Sequence, residues 1–171
     1  MSTAPVPRNV RDARRLVVID LENIAGEARL SPSRAADAIE RLAAAIDLGP
    51  RDDLVVAADR RNAAVAFFAT PPQARRLIGR GPDGADLRLA EVLLTEEVAA
   101  RYGTVVIASG DGMFTGITAD LRRQGVTVLT VSRMRSTSIH LRLAADNTIY
   151  LDGPAVVARL RARRAVSLGA A

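Results

Sequence analysis

Short apolar runs alternate along the chain with longer stretches of helical periodicity. Leu16-Val17-Val18-Ile19 is a β-branched run with charge on both sides, and it predicts a buried strand. Ser31 or Ser33 then caps a helix that runs to about Asp47, with Ala36, Ile39, Ala43 and Ile46 at helical spacing and Gly49-Pro50 as its stop. Residues 54–58 predict a second strand. Residues 63–69 fit either a helix or a strand and are ended by Pro71-Pro72, while 74–80 fit an edge strand or part of a helix. After a turn at 81–84, a long helix is expected over 85–101, with Leu87, Ala90, Leu94 and Val98 as its apolar stripe. Further strands are expected at 104–108, 126–131 and 148–151. Between them lie a helix over 113–123, closed by Gly125, and one or two helical turns begun by Ser136 or Ser138. Pro154 opens a terminal helix carrying Arg159, Arg161, Arg163 and Arg164.

Strands that alternate with helices pair in parallel through right-handed crossovers, which puts helices on both faces of the sheet. The expected fold is therefore α/β, a three-layer α/β/α sandwich around a mostly parallel central sheet. A chain of 171 residues without an internal repeat reads as one domain. Its expected bounds are 14–166, between a loose lead at 1–13 and a tail at 167–171. No segment has the roughly 18 uninterrupted apolar residues of a membrane helix, and the start lacks the apolar core of a secretory signal. With no cysteine either, a soluble cytoplasmic protein is the default. A homo-oligomer stays open.

All 24 cationic side chains are arginine, there is one histidine, and the net charge is +5. The arginine bias reads as the imprint of a G+C-rich coding sequence, but whatever its origin the charge attracts polyanions. Having no lysine removes the phosphate lysine of a P-loop and any Schiff base. His140 alone cannot build a two-histidine ribonuclease mechanism, and no G-x-S-x-G elbow accompanies it. Catalysis is left mainly to carboxylates, alone or holding a metal.

Open parallel sheets bind ligands beyond the carboxyl ends of their strands. Asp20, Asp59 and Asp111 end three of the expected strands, and Asp86 lies in the first turn of a helix that starts at the same edge. Two carboxylates about 4 Å apart repel by roughly 4 kcal/mol at an effective dielectric of 20. A convergent cluster therefore calls for raised pKa values or for a hard cation such as Mg²⁺ or Mn²⁺. Each acid also has a plainer role. Asp20 fits a strand-end turn, Asp111 a helix cap, Asp86 a helix-dipole partner, and Asp59, beside Arg60 and Arg61, a surface ion pair. Spacing alone leaves the two readings about even.

Several stretches together resemble the NYN domain family, including its LabA-like members, and its PIN-like nuclease fold. They are Val17-Val18-Ile19-Asp20-Leu21-Glu22-Asn23, Gly84-Ala85-Asp86-Leu87-Arg88-Leu89-Ala90 and Val105-Val106-Ile107-Ala108-Ser109-Gly110-Asp111-Gly112-Met113-Phe114, followed by the helix, glycine and strand of 121–128 and by 143–146. The resemblance implies a metal-dependent ribonuclease acting on single-stranded or structured RNA, with Mg²⁺ or Mn²⁺ held by Asp20, Asp86 and Asp111. It further implies that Asn23 orients a ligand, a water or a neighbouring acid, and that Ser109 with the amides of Gly110 and Gly112 contacts a phosphate. Met113 stands where the family often has a second aspartate in S-G-D-x-D-F, which removes one potential ligand.

The alternative on the same fold is a non-catalytic RNA-binding or regulatory module. A dinucleotide site on Gly110, Gly112 and Gly116 would set Asp111 against a pyrophosphate. An Asp20-nucleophile phosphohydrolase would lack its lysine. His140, Phe114 and Phe67-Phe68 read as structural residues, and the arginines of 159–164 as a solvated helix face. Arg88 or Arg60 would stand near enough to the acids to hold a substrate backbone.

Overall fold

The computed structural model describes residues 13–169. Six strands, β1 (Arg15–Asp20), β2 (Asp52–Asp59), β3 (Arg75–Gly79), β4 (Thr104–Ala108), β5 (Thr127–Ser132) and β6 (Asn147–Tyr150), form one sheet in the order β3-β2-β1-β4-β5-β6. Every neighbouring pair is parallel. The sheet is thus wholly parallel, and its winding reverses between β1 and β4.

The helices are α1 (Leu21–Ala25), α2 (Pro32–Ile46), α3 (Ala63–Ala69), α4 (Gly84–Thr95), α5 (Val98–Arg101), α6 (Thr115–Arg123), α7 (Ile139–Ala144) and α8 (Pro154–Gly169). They divide between the two faces. Val17, Ile19, Val56 and Val106 pack with residues of α1, α2, α3 and α8, whereas Leu16, Val18, Val55 and Val105 pack with α4, α5, α6 and α7. Covering both faces is what makes the inner strands continuous apolar runs rather than alternating ones. Among the described residues no helix is long and apolar enough to cross a membrane.

Four details differ from the sequence reading. Residues 85–101 form two helices, because Glu97 adopts a left-handed backbone (φ 51°) and breaks the ladder after Thr95. In α4 the buried face is Ala85, Leu89, Ala90, Val92 and Leu93, leaving Leu87 and Leu94 exposed. In α2 the face is Ala35, Ala38, Leu42 and Ala45, about one residue from the expected stripe. The last helix also continues through Ser167 and Leu168 to Gly169, past the expected start of the tail. Of the expected lead, residues 1–12 lie outside the described residues. The ambiguous segments resolve as helix α3 and edge strand β3.

One backbone contact fixes where α4 begins. A Cβ on Gly79, the last residue of β3, would run into the amide of Ala85, and one on Gly84 would come within 2.9 Å of the Gly79 carbonyl carbon. Only a glycine pair lets strand end and helix start approach this closely. Gly79→Ala should therefore lower stability by about 1–3 kcal/mol. The check is a urea unfolding curve, in which an unchanged midpoint would refute a tight contact.

Candidate functional site

Side-chain alternation decides where Asp20 points. Val18 faces the α4 side and Ile19 the opposite side, so the next residue turns back toward α4. There it meets Asp86, carried on the first turn of α4 by the Gly79–Gly84 contact. Asp20 is only 4% exposed. Its Oδ1 accepts from the Asn23 amide at 3.2 Å and its Oδ2 from the Ser109 hydroxyl at 3.2 Å. The Asp86 Oδ1 is buried with no hydrogen-bond partner among the described residues.

Burial, and then the Asp86 carboxyl beside it, push the Asp20 acid up to about 8. Asp86 is also raised, by burial first. Its hydrogen bond with Asp20 acts the other way, and the negative charges of Asp111, Asp83 and Glu22 add to the rise. Two neighbouring acids that both resist ionisation titrate as a pair rather than as separate carboxyls. Asp59 behaves differently: the backbone N–H of Arg61, with the Arg61 side chain, holds it below the usual carboxylate range. That is the turn and surface ion-pair role expected of it.

A crevice of about 600 Å³ opens beside the pair, over the carboxyl ends of β1, β2 and β3. Glu22, Asn23, Asp59, Arg61 and the 81–86 loop share its lining with Asp20 and Asp86. Ser109, Gly110, Asp111 and Gly112 lie on the other side of Asp20, after β4. Asn23 joins the two halves, since its Oδ1 accepts from the Gly110 amide at 2.9 Å. Asp111 caps the 3₁₀ turn Gly112–Phe114 through the Met113 amide (2.8 Å), and its charge reaches Asp86. Gly110 rests so closely against the Ser136 carbonyl that no side chain fits. Arg88 pairs with Glu91 on α4 and does not line the crevice.

Asp20 and Asp86 are thus brought together, whereas Asp111 stands nearby in its own turn. Among the described residues no three acids or histidines converge closely enough to ligate one ion together. The pair still suits a hard cation, because an orphaned buried carboxylate oxygen beside a second carboxyl is a donor set lacking its counter-charge. Among the described residues no arginine supplies that charge: Asp20, Glu22, Asp83, Asp86 and Asp111 form no ion pair there, although Asp37, Asp52, Asp53, Asp146 and Glu96 all do.

Two site residues escaped the sequence reading. Glu22 Oε1 accepts from the Asp59 amide and from Asn62 Nδ2, each at 2.8 Å. Asn62, only 2% exposed, also donates to the Ala28 carbonyl (2.9 Å) and accepts from the Leu30 amide (3.0 Å). The available signal for Glu22 was its place two residues after a strand-end aspartate. Asn62 carried none, since its partners lie more than 30 residues away in sequence.

A solved structure of a protein of unknown function from Vibrio parahaemolyticus shares the fold, with a TM-score of 0.56 and 16% identity over 85% of this chain and 96% of that one. Among curated proteins no sequence matches this chain. The NYN domain model matches residues 14–152, from just before β1 to two residues past the end of β6. That family is generally nuclease-like, and its PIN-like nucleases typically use divalent metals. With the match spanning most of the sequence, the chain belongs to the NYN domain family.

Proposed function

We propose that this protein is a cytoplasmic, metal-dependent endoribonuclease. The observation that carries the reading is the carboxyl pair of buried Asp20 and half-buried Asp86, left among the described residues without any arginine in a chain rich in arginine. Asp20 and Asp86 would hold Mg²⁺ or Mn²⁺, with Asp111 adding charge from the facing turn. Such an ion supplies a Lewis acid for the phosphate and lowers the pKa of a bound water. Asn23 and Ser109 keep the Asp20 carboxyl in one orientation, since each of its oxygens already accepts one hydrogen bond. The Gly110 amide is taken by Asn23 and its open face by the Ser136 carbonyl, so of the two glycine amides expected to contact a phosphate it is that of Gly112 that would do so. Arg88 would reach a substrate backbone only by leaving Glu91. The absence of cysteine suits a reducing compartment.

A second reading, a non-catalytic RNA-binding or regulatory module, draws on Met113 at the family's acidic position and on the lack of three convergent ligands among the described residues. Incubation with labelled RNA in Mg²⁺, Mn²⁺ or EDTA, beside Asp111→Asn, separates the two. The nuclease reading expects cleavage in metal, none in EDTA, 5′-phosphate products, and at least a roughly tenfold loss in the variant. Intact RNA in both metals, bound by a folded protein, would select the second reading.

A further inference from the structure

Charge is sorted along the strand axis of this molecule. At the amino-terminal edge of the sheet most arginines are neutralised, Arg51 being exposed and without an ion pair among the described residues. Arg14 pairs with Asp53, Arg15 with Asp52, and Arg75 and Arg101 with Glu96. At the carboxyl edge the pattern inverts. Arg29, Arg60, Arg80, Arg133 and Arg135 are exposed in loops at that edge, and none makes an ion pair or a side-chain hydrogen bond among the described residues. Asp59 pairs with Arg61 and Glu27 with Arg34 at that edge, but Asp20, Glu22, Asp83, Asp86 and Asp111 form no ion pair among the described residues, so the separation is not a shortage of partners.

The five arginines form two groups. Arg29, Arg60 and Arg80 each adjoin a residue lining the crevice, namely Ala28, Asp59 and Gly81. Arg133 and Arg135 lie beyond β4, in the connection after β5. That connection packs on the Asp111 turn, with the Ser138 amide donating to the Gly110 carbonyl at 2.8 Å. The Arg133 guanidinium lies over Gly26, at the end of α1. The acidic centre therefore has unneutralised guanidinium groups on both flanks, and exposed guanidinium forks match phosphate oxygens. Leaving such cations unpaired around unpaired acids suits a ligand whose negative charge is spread along its length.

Building on the nuclease reading, we infer that these two groups bind backbone phosphates of one RNA strand, which runs from the Arg29–Arg60–Arg80 rim over the acidic centre to Arg133 and Arg135. Contacts on both sides of the centre hold an internal linkage there rather than a strand end.

The test is binding without catalysis. The full chain is titrated in EDTA with a fluorescein-labelled single-stranded RNA of about 20 nucleotides, at several KCl concentrations. Each phosphate contact on a single strand contributes about −0.7 to the slope of log K against log salt. Arg29→Gln/Arg60→Gln/Arg80→Gln should flatten the slope by about 2 and weaken binding at least tenfold near 100 mM salt. Arg133→Gln/Arg135→Gln should flatten it by between about 1 and 1.5, and Arg135→Gln alone, which leaves the Gly26 contact intact, by about half of that. The control is Arg51→Gln/Arg161→Gln, which removes unpaired exposed cations remote from that edge and should change affinity less than about twofold. An equal loss in the control, no loss in either arm, or no RNA binding by the parent would overturn the track. If the arms behave as expected while the parent leaves RNA uncut in Mg²⁺ and Mn²⁺, the nuclease reading falls and the track stands. If cleavage is metal-dependent but the arms are silent in binding, the track alone falls.

Discussion

Replacing Asp20 with asparagine is expected to abolish RNA cleavage and, in metal-free buffer at pH 8, to make the protein more stable. Both effects come from the same buried carboxyl. In the unfolded chain an aspartate titrates near 3.9, whereas here burial and the neighbouring Asp86 hold its proton up to about 8. Below about pH 4 both states are protonated and the group is neutral to stability. Between pH 4 and 8 the unfolded chain binds fewer protons than the native one, so stability falls as pH rises and the full loss is present above 8. Since a tenfold change in proton affinity is worth about 1.4 kcal/mol, the loss at pH 8 is on the order of 5 kcal/mol. The asparagine side chain of the variant carries no such titration. Thermal unfolding of parent and variant at pH 5 and pH 8 in EDTA should show the midpoints diverging at the higher pH. Adding Mg²⁺ at pH 8 should stabilise the parent and leave the variant unmoved. On the activity side, removing a supporting contact around a metal already costs about 10–100-fold, so losing a ligand should exceed that range. Equal midpoints at both pH values would mean that Asp20 is not strained by its surroundings.

The second large effect is expected at Asn62, a residue that touches no reacting group. Asn62→Ala removes three hydrogen bonds at a buried position and orphans the Leu30 amide and the Ala28 carbonyl. An unsatisfied buried group costs about 1–3 kcal/mol, so a total near 3 kcal/mol is expected. For a domain of this size that lowers Tm by roughly 10 °C. Glu22 would keep only the Asp59 amide, and the 26–30 loop that closes one wall of the crevice would come loose. Asn62→Asp is the sharper probe. It preserves the acceptor for Leu30 but sets a carboxylate against Glu22, so its destabilisation should grow as pH rises through the carboxylate range. A stability loss independent of pH in that variant would show that the Glu22 contact matters little.

The strands were the legible part of this sequence, because β-branched runs buried on both faces have few other places to go. Asp20 and Asp86 were legible for a related reason. One ends such a run, the other opens a helix, and the crossover rule sends both to the same edge. Helix faces were harder. In α2 nearly every candidate position is alanine, so two stripes one residue apart look equally apolar, and only the larger Leu42 marks the right one. The break at Glu96 and Glu97 has no glycine or proline to announce it, and the run of Leu and Val through 92–94 hides which side is wet. The ties of Asn62 to Glu22 and to the 26–30 loop span long loops and depend on a single amide, which no local pattern encodes. The separation of paired from unpaired arginines was likewise invisible, since it depends on which carboxylates reach across the fold.

The last helix has a mechanical consequence. α8 begins after the NYN match ends and buries Val156 and Leu160 against the α2 side of the sheet. Beyond Leu160 its residues are exposed, and among the described residues its polar ties are the ion pairs of Arg163 to Asp47 and of Arg164 to Asp37 and Glu40. Exposed pairs of this kind contribute little each and weaken with salt. The outer turns therefore form a local opening unit whose free energy is far below that of the sheet, and amide exchange there reports ionic strength rather than global unfolding. A partner seeking purchase on α2 would find that stretch of helix the easiest cover to lift.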